Sequence, residues 1–148
     1  MKIIQSAKKH RYIIASIAFA VILLLIIVGL FSIDNATNEM IVDYIEGLGW
    51  EIEVTPKEIT HLTIPEHFDV VYETYNAVQK HSGFNFEEFK GKNVTRYTYL
   101  VLNHKASENS RVVAGVFVCE DTIIAGDISS SDVNGFMHSI TETSNIRK

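Results

Sequence analysis

Nineteen consecutive residues, Ile13 to Phe31, carry no charge, and Ser16 and Gly29 are the most polar among them. A helix rises about 1.5 Å per residue, so this run spans roughly 28 Å, the thickness of a bilayer's hydrocarbon core. The stretch divides the chain into a basic leader (1–12), a predicted transmembrane helix (13–32), an α+β domain (33–140) and a tail (141–148) expected to be flexible. Lys2, Lys8, Lys9 and Arg11 precede the run, whereas Asp34, Glu39, Asp43 and Glu46 follow it and the next basic residue is Lys57. That asymmetry places the N-terminus in the cytoplasm and the domain outside. The run is longer than the roughly 7–15 residues of a secretory h-region, and no pair of small residues is spaced for cleavage after it. The expectation is an uncleaved, single-pass signal-anchor in the cell membrane. Its first partner is the lipid bilayer, through Ile13–Phe31.

Charge then narrows what the remainder can do. The whole chain carries −5 and the leader +4, so everything after the span carries −9. A surface of that sign argues against nucleic acid as a partner. Cys119 is the only cysteine, so no intramolecular disulfide can form. Its setting in Val116-Phe117-Val118-Cys119 reads as a small buried hydrophobe.

Along the domain, Met40, Ile41, Tyr44, Ile45 and Leu48 share one helical face, with Asn35 or Thr37 as the expected cap and Gly49 as the stop. Trp50, Ile52 and Val54 alternate with Glu51, Glu53 and Thr55, the rhythm of a half-buried strand. Ile59–Ile64, bracketed by Pro56 and Pro65, reads as an edge strand. Phe68, Val71, Tyr72, Tyr75, Val78 and Gln79 predict a second amphipathic helix, with Asp69, Glu73 and Lys80 facing away and Ser82-Gly83 ending it. Phe84, Phe86 and Phe89 are expected to fold back onto the core.

The second half is β in texture. Along Val94–Asn103, Arg96, Thr98, Leu100 and Leu102 share one face, and Thr95, Tyr97, Tyr99 and Val101 the other. Arg111–Cys119 and Ile123–Ser129 read as a hairpin closed at Glu120-Asp121-Thr122. Asn134–His138 reads as a closing turn packed on the sheet. The fold class is α+β: after the membrane helix, two helices packed on one face of an antiparallel sheet of about four or five strands.

Several phrases together resemble a known set: Gly49-Trp50, Ile64-Pro65, Phe68-Asp69, Val71-Tyr72, Tyr75-Asn76, Phe84, Gly91-Lys92, Arg96-Tyr97-Thr98-Tyr99, Ile124-Ala125-Gly126-Asp127 and Gly135-Phe136-Met137-His138. In this order, from about Ile41 to His138, they resemble a family of small, membrane-anchored bacterial proteins known as a domain of unknown function. The resemblance implies a bacterial, outward-facing, single-span protein and carries over no catalytic residue. Ala125 stands where the family usually has Gly, and the glycine often found near Thr122 is missing. The hairpin turn must therefore be built differently here.

Among candidate site residues, Asp127 and His138 are the pair most able to do chemistry, one ending the final hairpin strand and the other in the closing motif. A hydrolase would also need a nucleophile, for which Ser129, Ser130 or Ser131 is available. The competing reading is that Asp127 and His138 cap backbone while Phe136 and Met137 fill the core. Arg96, Tyr97 and Tyr99 form a candidate binding face for an acidic or sugar ligand, or else ordinary cross-strand pairs. His61, His67, His81, His104 and His138 show no metal-ligand spacing, and no cofactor motif occurs. The sequence thus favours a non-enzymatic binding module for an envelope protein, peptide or glycan. The alternative is a small hydrolase or metal-dependent enzyme using Asp127 and His138.

Overall fold

The computed structural model describes residues 16–17, 19–24, 35–132 and 135–147. The leader and most of the predicted span therefore lie outside the described residues. Residues 16–17 and 19–24 are helical, and among the described residues no helix is long and apolar enough to cross a membrane.

Five strands, β1 (Glu58–Thr63), β2 (Asn93–Leu100), β3 (Val112–Cys119), β4 (Thr122–Ser130) and β5 (Phe136–Ser139), form one antiparallel sheet in sequence order. Helix α1 covers residues 35–47 and α2 covers Val70–His81. The class is α+β, as expected. The two helices, expected on one face, instead lie on opposite faces. The reason is the central strand, Val-Val-Ala-Gly-Val-Phe-Val-Cys, which is apolar at both parities and must be covered on both sides. Val112, Ala114, Val116 and Val118 pack with Ile41, Ile45 and Trp50, while Phe117 and Cys119 pack with Ile64, Phe86 and the aromatic rings of α2. Cys119 is buried, as its setting predicts.

Glu120 and Asp121 make the β3–β4 turn, both with left-handed backbone (φ 46° and 61°). A two-residue hairpin loop of this hand matches the twist of the strands, here without the usual glycine. Register then shifts between Phe117 and Val118, where Ile124 and Ala125 both turn toward α2. The bulge lets one strand serve both cores.

Four local expectations change. Trp50–Val54 makes only a single bridge, Ile52 to Val101, among the described residues, with Trp50 turned inward and donating from Nε1 to the Ile140 carbonyl at 2.7 Å. In α2 the covered face is Tyr72, Tyr75, Asn76 and Gln79, and Val71 is exposed. Asp69 is exposed, as expected, and serves as its N-cap, accepting from the Val71 and Tyr72 amides. The Phe136–His138 turn is a fifth strand, opened by Gly135, whose Cα runs too close to the Ser130 carbonyl for any Cβ. Finally, the segment expected as a frayed tail holds a 3-10 turn (Thr143–Asn145) and a bridge from Ile146 to His104. Lys105 donates to the Asn145 carbonyl and Arg147 to that of Asn103, which ties this segment to the β2–β3 loop.

Candidate functional site

The α2 side of the sheet carries a polar centre. Strand parity brings Arg96 of β2, Gly115 of β3 and Asp127 of β4 to this face. Gly115 makes room: a Cβ there would stand 2.5 Å from Arg96 Nη2, so the guanidinium lies directly over this residue. From there Arg96 reaches Asp127 Oδ2 at 3.8 Å and stacks its cation 5.6 Å from the Phe117 ring centroid. Tyr75 of α2 donates its hydroxyl to Asp127 Oδ1 at 3.0 Å, and Gln79, one turn on, accepts from the Gly126 amide at 2.7 Å. Asp127 is fully buried, whereas Arg96 keeps about a third of its side chain in solvent.

Burial raises the Asp127 carboxyl above its ordinary range, and the charge of Arg96 and the Tyr75 hydroxyl oppose that rise. Burial also pushes the Tyr75 phenol well up, helped by the negative charge beside it. Asp127 Oδ2, Arg96 Nε and Gln79 Nε2 are buried with no hydrogen-bond partner among the described residues. The centre is thus an ion pair held at arm's length rather than a closed bidentate bridge. Its chemistry is that of a docking pin: α2 reads the sheet through Tyr75 and Gln79.

The other sequence candidates are on the opposite face. Asp127 pairs with Ser139 across β4 and β5, so His138, one residue earlier, points toward α1's side of the sheet. Asp127 and His138 therefore share neither a face nor a hydrogen bond: the partners of Asp127 are Tyr75, Arg96 and the Ser129 side chain, those of His138 are Ser139 and His104. Tyr99 is fully buried and donates to Asn38 Oδ1 at 2.9 Å, while Tyr97 is half-buried against the same core. Arg96 thus stands apart from Tyr97 and Tyr99, and the three do not form one binding face. Burial raises the Tyr99 phenol strongly, consistent with a structural pin.

His104 is the residue that sequence reading passed over. It lies beyond β2, is 5% exposed, and stacks between Trp50 (centroids 5.8 Å apart) and Phe136 (4.9 Å), with His138 at 5.6 Å. Its only signal in the sequence was an imidazole directly after a strand ending in Asn103. The Ala106 amide donates to His104 Nδ1 at 3.0 Å, so the proton of the neutral ring is on Nε2. That N–H faces His138 Nε2 at 3.4 Å, and His138 Nδ1–H in turn donates to the Ser139 carbonyl at 2.9 Å. The same bonds bear on metal binding: Nε2 of His104 cannot present a lone pair while Nδ1 accepts from Ala106. Among the described residues no three His, Cys, Asp or Glu side chains converge as metal ligands.

Two open grooves flank α2. One, of about 510 Å³, is lined by Glu66, His67, Glu73, Lys80, Glu87 and Lys90, with charges of both signs. The other, of about 380 Å³, lies between Val78 and His81 of α2 and Met137, His138 and Glu142.

Compared with known proteins, the family described as a domain of unknown function (DUF4830) matches residues 44–128, from within α1 to Ile128 of β4. The match takes in His104 and Asp127 and ends before His138. No curated protein and no solved structure matches the chain.

Proposed function

The chain belongs to the DUF4830 family, a domain of unknown function, and from that premise we propose that it is a membrane-anchored interaction module whose partner adds an extended peptide strand alongside β1. The observation that carries this reading is the state of β1. Its six residues pair with β2 on one side only among the described residues, and five of the six are exposed. An edge strand presents a row of unpaired amides and carbonyls, and it is usually blunted by lysine, proline or shortness. Glu-Ile-Thr-His-Leu-Thr has neither lysine nor proline within it, and Ile59 is 51% exposed. Backbone pairing would give such a partner affinity, and alternate side chains would give it register.

The anchor rests on the uncharged run Ile13–Phe31 and on the basic leader before it. The module then hangs outside the cell membrane of a bacterium, N-terminus cytoplasmic, facing envelope proteins. A hydrolase or metal enzyme built on Asp127 and His138 finds less support, because Asp127 has no exposed surface and His138 is on the other face.

The test is a photo-crosslinking residue placed at Ile59, with Glu73 on the exposed side of α2 as control, in cells making the full chain. Adducts from Ile59 alone, lost on His61→Pro, whose amide points away from β2, are expected; equal adducts from both positions overturn the reading. Topology is checked separately. A membrane-impermeant maleimide should label Ser107→Cys and spare Ser6→Cys in intact cells.

A further inference from the structure

We infer that His104 and His138 form a pH-sensitive latch: as a neutral pair they join the β2–β3 loop and residues 143–147 to β5, and a proton taken up by either ring opens that joint. The inference rests on the hydrogen-bond chain and goes beyond the proposed binding role of β1.

The chain runs in one direction, and every ring nitrogen in it is used. Ala106 N–H donates to His104 Nδ1, His104 Nε2–H to His138 Nε2, and His138 Nδ1–H to the Ser139 carbonyl. Both rings must be neutral, since each offers one donor and one acceptor. A proton added to His104 lands on Nδ1 and meets the Ala106 N–H. A proton added to His138 lands on Nε2 and meets the N–H of His104. In either case two donors face each other where a bond had been, inside a stack closed by Trp50 and Phe136.

The surroundings decide how easily the proton enters. Burial lowers the basicity of His104 first, followed by the charge of His138 and then that of Lys105 in the same loop. From β4, Asp127 attracts a charge on His138 through the sheet, and His81 of α2 and Glu142 line the groove beside this ring. From the C-terminal segment, Arg147 is paired with Glu108 and adds little net charge. Burial, the neighbouring His138 and Lys105 all disfavour a charge on His104. Asp127 lies beyond the backbone and cannot accept a hydrogen bond from either ring.

What the latch holds is specific. His104 carries the bridge to Ile146, Lys105 donates to the Asn145 carbonyl and Lys105 Nζ to that of Ser144, and Arg147 donates to that of Asn103. These bonds span a short stretch with no helix or strand of its own beyond the 3-10 turn, the kind of element that opens locally while the rest stays folded. In the opened state His104 regains its ordinary pKa near 6.5. Opening therefore takes up a proton and becomes easier as pH falls below about 6.5.

The test is hydrogen exchange on the full chain at pH 7.5 and pH 5, expressed as protection factors so that intrinsic chemistry cancels. Protection at the amides of Lys105, Ile146 and Arg147 is expected to fall severalfold at the lower pH, while α2 holds its protection. The same drop should shrink to under about twofold in His104→Phe, which keeps a ring in the stack and removes the imidazole whose proton uptake drives opening. An undiminished drop in that variant, or no drop in the wild type, overturns the latch. Should the variant fail to fold, the wild-type imidazole ¹⁵N shifts decide. Protons on Nε2 of His104 and Nδ1 of His138 at pH 7.5 support the chain, and any other assignment overturns it. The single tryptophan, Trp50, gives a second readout, since its stacked imidazoles should quench it as they charge.

Discussion

On the α1 side of the sheet, Tyr99, Val101, Val112, Ala114 and Val116 meet Ile41, Ile45 and Trp50 in a nearly continuous apolar layer, with the His104–His138 pair at its rim. On the α2 side the middle of the same strands carries Arg96, Gly115 and Asp127, and apolar packing is displaced toward Phe86, Phe117 and Ile64. One face is held mostly by burial; the other adds a polar pin that α2 must meet in the right register. The difference teaches where each face is vulnerable. Apolar packing fails by cavity, whereas a buried charge fails when its partner is taken away.

Five variants would sharpen or break that contrast. Trp50→Ala should produce the largest loss, about 3–5 kcal/mol by urea unfolding, because the ring is fully buried and its Nε1 bond to Ile140 goes with it. Asp127→Ala should cost less, about 2 kcal/mol, since Arg96 keeps a third of its surface in water and can turn outward. Replacing the pair together, Arg96→Met with Asp127→Leu, should recover most of that loss. If the double variant is no better than the single, the centre is not acting as a pair. Tyr75→Phe should remove about 1 kcal/mol, the net worth of a single hydrogen bond. At the small end, Val71→Ser on the exposed side of α2 should change stability by no more than about 0.5 kcal/mol. A large effect there would place a contact on the outer face of the helix.

The two faces should also respond to pH with opposite sign. Asp127 has a raised pKa in the folded state, so its contribution is most favourable at low pH and is lost as pH rises from about 3.8 through the folded value. His104 has a lowered pKa, so its contribution is present at neutral pH and is lost as pH falls below about 6.5. Comparing urea midpoints of the wild type with Asp127→Asn and with His104→Phe across pH 3.5 to 8 should isolate the two slopes. Slopes of the same sign would contradict the assignment of one face to a buried acid and the other to a buried imidazole.

Periodicity along the chain determined most of the elements. Tyr97 and Tyr99 against Arg96 and Thr98 gave the parity of β2, because a strand's side chains must alternate whatever surrounds it, while β3 and β4 were legible as two β-rich runs closed by the turn at Glu120-Asp121-Thr122. The edge position of β1 was legible from the prolines that bracket it, and the core role of Phe86 from its bulk. The uncharged run and the basic leader carry the expectation of an anchor, since hydropathy and charge belong to the sequence alone. What the tertiary structure decided was which residues meet. The helices took opposite faces because β3 is apolar on both, a fact visible in the sequence but silent on which helix goes where. Asp127 and His138 parted because one residue of register on paired strands moves a side chain to the other face. His104 gained its role only when the β2–β3 loop folded against β5, 34 residues away in the chain. Local periodicity fixes elements and their faces; the partners across a sheet are set by long-range pairing, which no single stretch of the chain contains.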